Sequence, residues 1–146
     1  MRNLITIVAM LSVGCGTMGL SPSDTGAGAS SIEIDPYGEI DFGEHNINAS
    51  KSARMDITLF VQGDRPVGIL DIVLDGDDAD LFILPEDLPV PMRLQPGIDF
   101  PFALRFSPEE AGSFRGEFKV MIDDGTPDGS FIQRPVMGEG CEADGC

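Results

Sequence analysis

The sequence predicts an all-β fold, an antiparallel sandwich of about seven strands drawn from seven to nine short candidate segments. Three observations carry this. Apolar residues alternate with polar ones over the stretch from Leu94 to Ile122: Phe100, Phe102, Leu104 and Phe106 interleave with Pro101, Ala103 and Arg105, and Phe114, Phe118, Val120 and Ile122 with Arg115, Glu117, Lys119 and Met121. That two-residue period is the signature of half-buried strands. The 146 residues also include 18 Gly and 11 Pro without the apolar period of a long helix, a composition suited to short strands and many turns. Finally, turn residues recur between the apolar runs, as at Ser107-Pro108-Glu109-Glu110-Ala111-Gly112, where Pro sets φ and Gly permits it to be positive.

Before the first strand stand two segments of other character. Met1-Arg2-Asn3 is a short basic start, and Leu4 to Val13 is an apolar run of ten residues, too short to span a bilayer and suited to a secretory signal over residues 1–14. The run ends in Leu11-Ser12-Val13-Gly14-Cys15, which resembles the lipobox of bacterial lipoproteins, although Ser12 stands where an aliphatic is usual. The resemblance implies a lipidated Cys15 as the first mature residue and, with Gly16 rather than Asp following it, anchoring to the outer membrane. Acyl chains contribute about 0.8 kcal/mol per buried methylene, so several hold firmly. Gly16 to Ser30 is small, polar and of low complexity; residues 15–30 therefore form a flexible tether spanning roughly 20 Å.

The sandwich is predicted over residues 31–140. Ile32 and Ile34 alternate with Glu33 and Asp35, Pro36-Tyr37-Gly38 turns the chain, and Ile40 and Phe42 flank Asp41. Met55, Ile57, Leu59 and Val61 form the next inward set, ending at Gly63-Asp64-Arg65-Pro66. Gly68 to Leu74 is apolar but for Asp71, which predicts a more buried strand. Leu81-Phe82-Ile83 and Met92-Arg93-Leu94 are short candidates. Ser130 to Gly138 returns along the strand that ends at Ile122, with Pro135 marking an edge or a bulge. About fifteen inward side chains contribute on the order of 20 to 45 kcal/mol, largely offset by chain entropy.

The series Ile34-Asp35-Pro36, Ile40-Asp41-Phe42-Gly43-Glu44, Pro66 to Gly76, Asp80-Leu81-Phe82-Ile83, Leu94-Gln95-Pro96-Gly97, Leu104 to Pro108, Ala111 to Gly116 and Met137-Gly138-Glu139-Gly140 resembles the ASH or Hydin-type module, which bacterial surface proteins carry as a choice-of-anchor type domain. The resemblance implies an immunoglobulin-like sandwich serving as a spacer or protein-docking module, with no catalytic residue.

Charge and side-chain chemistry bound the function further. Nine Lys and Arg stand against 25 Asp and Glu, a net charge of −16 dispersed along the chain, which repels nucleic acid and anionic head groups. His45 is the single histidine. Its surroundings, Glu44-His45-Asn46-Ile47-Asn48, suggest a solvent-exposed loop, and neither a triad nor a zinc site can be assembled from one such partner. No nucleophile elbow or phosphate loop is present, so an enzyme is not predicted and neither a cofactor nor a small-molecule substrate is expected. Asp75, Asp77 and Asp80 resemble part of a calcium loop. Ala79 and Asp80, however, occupy its fifth position and the sixth, where a Gly is required. Asp123, Asp124 and Asp128 form a second acidic loop. Turn chemistry alone explains both; were they at the same end of the sandwich, the six could share an ion, giving a calcium-dependent adhesin as the alternative. Cys141 and Cys146, in the acidic tail 141–146, are the two cysteines left after Cys15. In an oxidising compartment they suit a small disulfide ring, an intermolecular or reactive pair being the alternative. The predicted partners are the membrane, through the lipid, and another envelope protein reached by a sheet edge or end loops.

Overall fold

A computed structural model gives the fold of residues 29–143 and 146. The signal segment, Cys15 and all of the tether before residue 29 lie outside these described residues. Nine strands follow in order: β1 (Ser31–Asp35), β2 (Ile40–Asn46), β3 (Ala53–Gln62), β4 (Val67–Asp75), β5 (Phe82–Ile83), β6 (Met92–Leu94), β7 (Phe100–Phe106), β8 (Gly112–Asp123) and β9 (Ser130–Cys141). They form a four-stranded sheet in the order β1-β3-β7-β5 and a five-stranded sheet in the order β2-β9-β8-β4-β6. The result is an immunoglobulin-like β-sandwich.

One strand pair departs from the antiparallel expectation, for β2 runs parallel to β9. No hairpin turn fixes their direction, because β2 comes near the start of the domain and β9 at its end; such a first–last pair is free to be parallel. Similarly, the Ser107 to Ala111 connection closes no hairpin. It carries the chain from β7 in one sheet to β8 in the other, with Pro108 buried beneath it.

The core lies between the two inner faces. Ile32, Ile34, Ile57, Leu59, Leu104 and Phe106 from one sheet meet Ile40, Ile69, Phe118, Val120 and Val136 from the other, none more than 1% exposed. Phe106 is the hub of an aromatic cluster, its ring centroid 5.0 Å from Phe82, 5.6 Å from Phe42 and 6.1 Å from Phe114. Across the sandwich its ring packs against Gly138 of β9: a Cβ at that position would sit 2.5 Å from the Phe106 Cε1. Only glycine permits the approach.

The predicted Gly68–Leu74 strand is only half-buried. Ile69 pairs with Ile122 and Asp71 with Met121, so Leu70 is an extra residue in β4. This β-bulge turns Leu70 and Asp71 outward together and returns Ile72 to the core, as bulges do when two residues oppose one. Pro135 lies inside the long β9, at the last position before β2 joins at Ile40 and Val136. On that side β9 is still an edge, so the missing N–H costs no ladder bond.

Candidate interaction surface

The four outer strands offer little open backbone. β5 has two residues and β6 three, and β1 has five, of which Glu33 and Asp35 are acidic. β2 is longer, but its register breaks between Asp41 and Glu44, where the Asp41 Oδ1 accepts the Gly43 N–H at 2.8 Å. Beyond β5 the edge of β7 is bare. Ser107 donates its N–H to the Leu81 carbonyl at 2.9 Å, so by alternation Arg105, Ala103 and Pro101 also face that way, and Pro101 has no N–H to offer. A groove of about 450 Å³ lies there, between Ile83 to Asp87 and Ala103 with Arg105. Short length, a bulge and a proline are the devices that blunt edges against strand addition.

The outer face of the five-stranded sheet is different. β8 turns Arg115, Glu117, Lys119 and Met121 away from the core, and β9 turns Phe131, Gln133, Pro135 and Met137. In register, Asp71, Met121 and Phe131 form one row across the sheet, and Val73, Lys119 and Gln133 the next. Phe131 is 55% exposed and Leu70 40%. Leu70, on β4, leans toward the β8–β9 connection, its Cδ1 3.2 Å from where a Gly129 Cβ would stand, so the two exposed apolar groups lie on either side of β8 and Met121. Lys119 covers the flank of this patch: its Nζ donates to the Asp75 Oδ2 at 2.6 Å and lies 3.2 Å from the Glu117 Oε2, and it stands 5.7 Å from the Phe131 ring centroid. The hydrogen bond from Lys119, then that from the Gly76 N–H, hold the Asp75 carboxyl below its ordinary value. Reciprocally, Asp75 and then Glu117 raise the Lys119 ammonium.

The acidic residues named from the sequence fall into two separate groups. Asp75 is in register with Glu117, whereas Asp123 is opposite Gly68, so the two loops lie at opposite ends of the β4–β8 pair, about 20 Å apart at the rise of a strand. The condition for one shared calcium ion among Asp75, Asp77, Asp80, Asp123, Asp124 and Asp128 is not met. Several of these carboxylates serve local turns. Asp75 accepts the Gly76 N–H and Asp123 the Gly125 N–H, while the neighbouring Asp78 ties its loop to β8 by accepting the Arg115 N–H. Asp124 accepts both the N–H and the hydroxyl of Thr126, and that hydroxyl bond is the main reason its carboxyl is held low. Among the described residues no three His, Cys, Asp or Glu are grouped to hold a metal ion.

His45 does not sit in an exposed loop. It is half-buried on β2, opposite Gly140, because the parallel pairing with β9 extends the strand past Gly43 to Asn46. Cys141 and Cys146 are bonded to each other. Cys141 is the last residue of β9 rather than part of the tail, and its carbonyl accepts the Ile47 N–H at 2.9 Å. Ser30, assigned to the tether, accepts the Arg65 N–H through its hydroxyl at 2.9 Å, which supports the turn after β3.

Sequence reasoning missed the Leu70–Phe131 patch. The signal was available in the pairs Met121-Ile122 and Phe131-Ile132: two adjacent apolar residues in a strand cannot both face the core. Which of each pair faces out depends on register.

No family model and no curated protein matches the chain. Among solved structures, a protein of unknown function from Porphyromonas gingivalis W83 superposes with a TM-score of 0.56 at 15% identity, over 81% of this chain and 50% of that one. The ASH/PapD-like domain 7 of human CEP192 gives a TM-score of 0.52 at 13% identity, over 77% of this chain and 86% of that domain. The VesB protease of Vibrio cholerae gives 0.50 at 7% identity, over 74% of this chain and 31% of that one. The chain thus spans half or less of the Porphyromonas and Vibrio chains. At these identities the likeness concerns the fold alone, an immunoglobulin-like sandwich of the kind seen in that ASH/PapD-like domain.

Proposed function

We propose that the chain is a lipid-anchored, non-catalytic immunoglobulin-like module of a bacterial cell envelope that binds another protein and works without a cofactor. In this reading Cys15 carries the lipid at the outer membrane, residues 16–30 extend the domain from the surface, and the sandwich presents a docking surface. The anchor is supported by the basic start, the apolar run and the cysteine that ends it. The binding role rests chiefly on one observation: Phe131 and Leu70 stay exposed on either side of β8, on a sheet whose inner face is fully packed. A non-catalytic role is supported by the position of His45, set on a strand opposite a glycine.

Intact mass of the protein extracted from membranes, compared with a Cys15→Ser variant, tests the anchor. A diacyl or triacyl increment on a chain beginning at Cys15, absent from the variant, is the expected result. A soluble, unacylated chain in both, the two masses differing only by the exchange of sulfur for oxygen, would overturn it.

A further inference from the structure

We infer that the outer face of the five-stranded sheet around Phe131, Leu70 and Met121 docks a basic partner segment, one that carries apolar or aromatic side chains flanked by Lys or Arg. The inference deepens the binding role proposed above and rests on it. The face supplies a central apolar patch, since Met121 lies between Asp71 and Phe131 in one row and Leu70 leans toward Gly129. Around it stand Asp71, Asp123, Asp124 and Asp128, all exposed. Of the cations on the same face, Lys119 is held by Asp75 and Glu117, Arg93 is in register with Gly68, opposite Asp123, and Arg115 stands at the other end of β8, in register with Met137, about 20 Å from Met121 at the rise of a strand.

An apolar centre within a polar rim is the anatomy of a protein interface, and a rim of one sign selects a partner of the other. The same charges disfavour the other occupants of an apolar face. A second copy would bring an identical acidic rim against this one, at −16 per chain. An anionic lipid surface would be repelled likewise. Strand addition at an edge is hindered by the short and interrupted edge strands, so the face, with its flat apolar surface, is the more favourable place to dock.

The test uses the full-length chain in detergent with ¹³C-labelled Met methyl groups, assigning Met121 from a Met121→Leu variant. The probes are two synthetic peptides of alternating Leu and charged residues with one central Trp, one built with Lys and the other with Glu. The Lys peptide is expected to move the Met121 methyl signal, and the Glu peptide to leave it unmoved. Phe131→Ser and Leu70→Ser, both at exposed positions and checked by melting temperature, are each expected to weaken the Lys peptide by about fivefold or more, as loss of an interface anchor does. Neither variant changes charge, so unspecific attraction to an acidic protein would survive both. Equal affinity in wild type and Phe131→Ser would overturn the inference, as would signal changes confined to Met92 or Met55. Self-association of the chain abolished by Phe131→Ser would overturn it in favour of a second copy. Binding displaced to another surface refutes this face while leaving the binding role intact, and an unacylated Cys15 bears on the anchor alone.

Discussion

Gly138→Ala puts a single methyl group into the tightest contact of the core. A Cβ there would lie 2.5, 2.7 and 2.8 Å from three carbons of the Phe106 ring, well inside van der Waals contact. Phe106 has little room to yield, because it is fully buried and stacked on Phe82 with an interplanar angle of 22°. Phe42 and Phe114 close two further sides. Overpacking of this kind costs about 1–3 kcal/mol, against a total of roughly 5–15 kcal/mol for a domain. Urea unfolding followed by far-UV circular dichroism should show a lower midpoint with an unchanged slope. A double-mutant cycle identifies the cause. Phe106→Ala would itself cost about 3–5 kcal/mol, so Phe106→Leu is the better second background. With the ring gone, Gly138→Ala should cost much less than in wild type, a coupling of about 0.5–3 kcal/mol. Equal cost in both backgrounds would refute the steric argument and point to the backbone of β9 instead.

Two other outcomes follow from the surface and the tail. Asp75 has a folded-state pKa below its ordinary 3.8, so the stability it contributes is present above that value and lost as pH falls through the lower folded one. Lys119 is raised above 10.5, so its share is present below that value and lost as pH rises through the folded one. Asp75→Asn should therefore flatten the acid limb of a urea-midpoint profile and Lys119→Met the alkaline limb; unchanged limbs in both would show that the pair does not persist in solution. In the tail, Cys146→Ser opens a ring with a sequence separation of 5, and the loop-entropy model allows a loss of about 2 kcal/mol at most. A larger loss by thermal unfolding would mean that the ring also fixes the Ile47 contact with Cys141.

Much of the sandwich was legible because the alternation of apolar residues is a local property. Ile57, Leu59 and Val61, or Phe102, Leu104 and Phe106, face inward in the structure as their period demands. The same holds for the pairing of β9 along β8, which a short connection enforces, and for the union of Cys141 with Cys146. The reading failed where a residue's environment is set by chain distant in sequence. Gly68 to Leu74 read as buried because a bulge is defined by two strands together, and neither contains it alone. His45 read as loop because Gly43 and the polar residues after it give no alternation, yet pairing with β9 holds them in a strand.

The sequence by itself determined the composition of the core, the class of the fold, the acidity that decides which partners are attracted, and the cysteine ending an apolar start. Those depend on residue identity and two-residue periodicity, which need no knowledge of the neighbours. Only the tertiary structure decided that the two acidic loops stand at opposite ends, that β2 runs parallel to β9, and that Leu70 and Phe131 are exposed on either side of β8. Each of these is a matter of register between strands far apart in the chain, and register is fixed by the packing of whole sheets, where a shift of one residue exchanges the buried side for the exposed one.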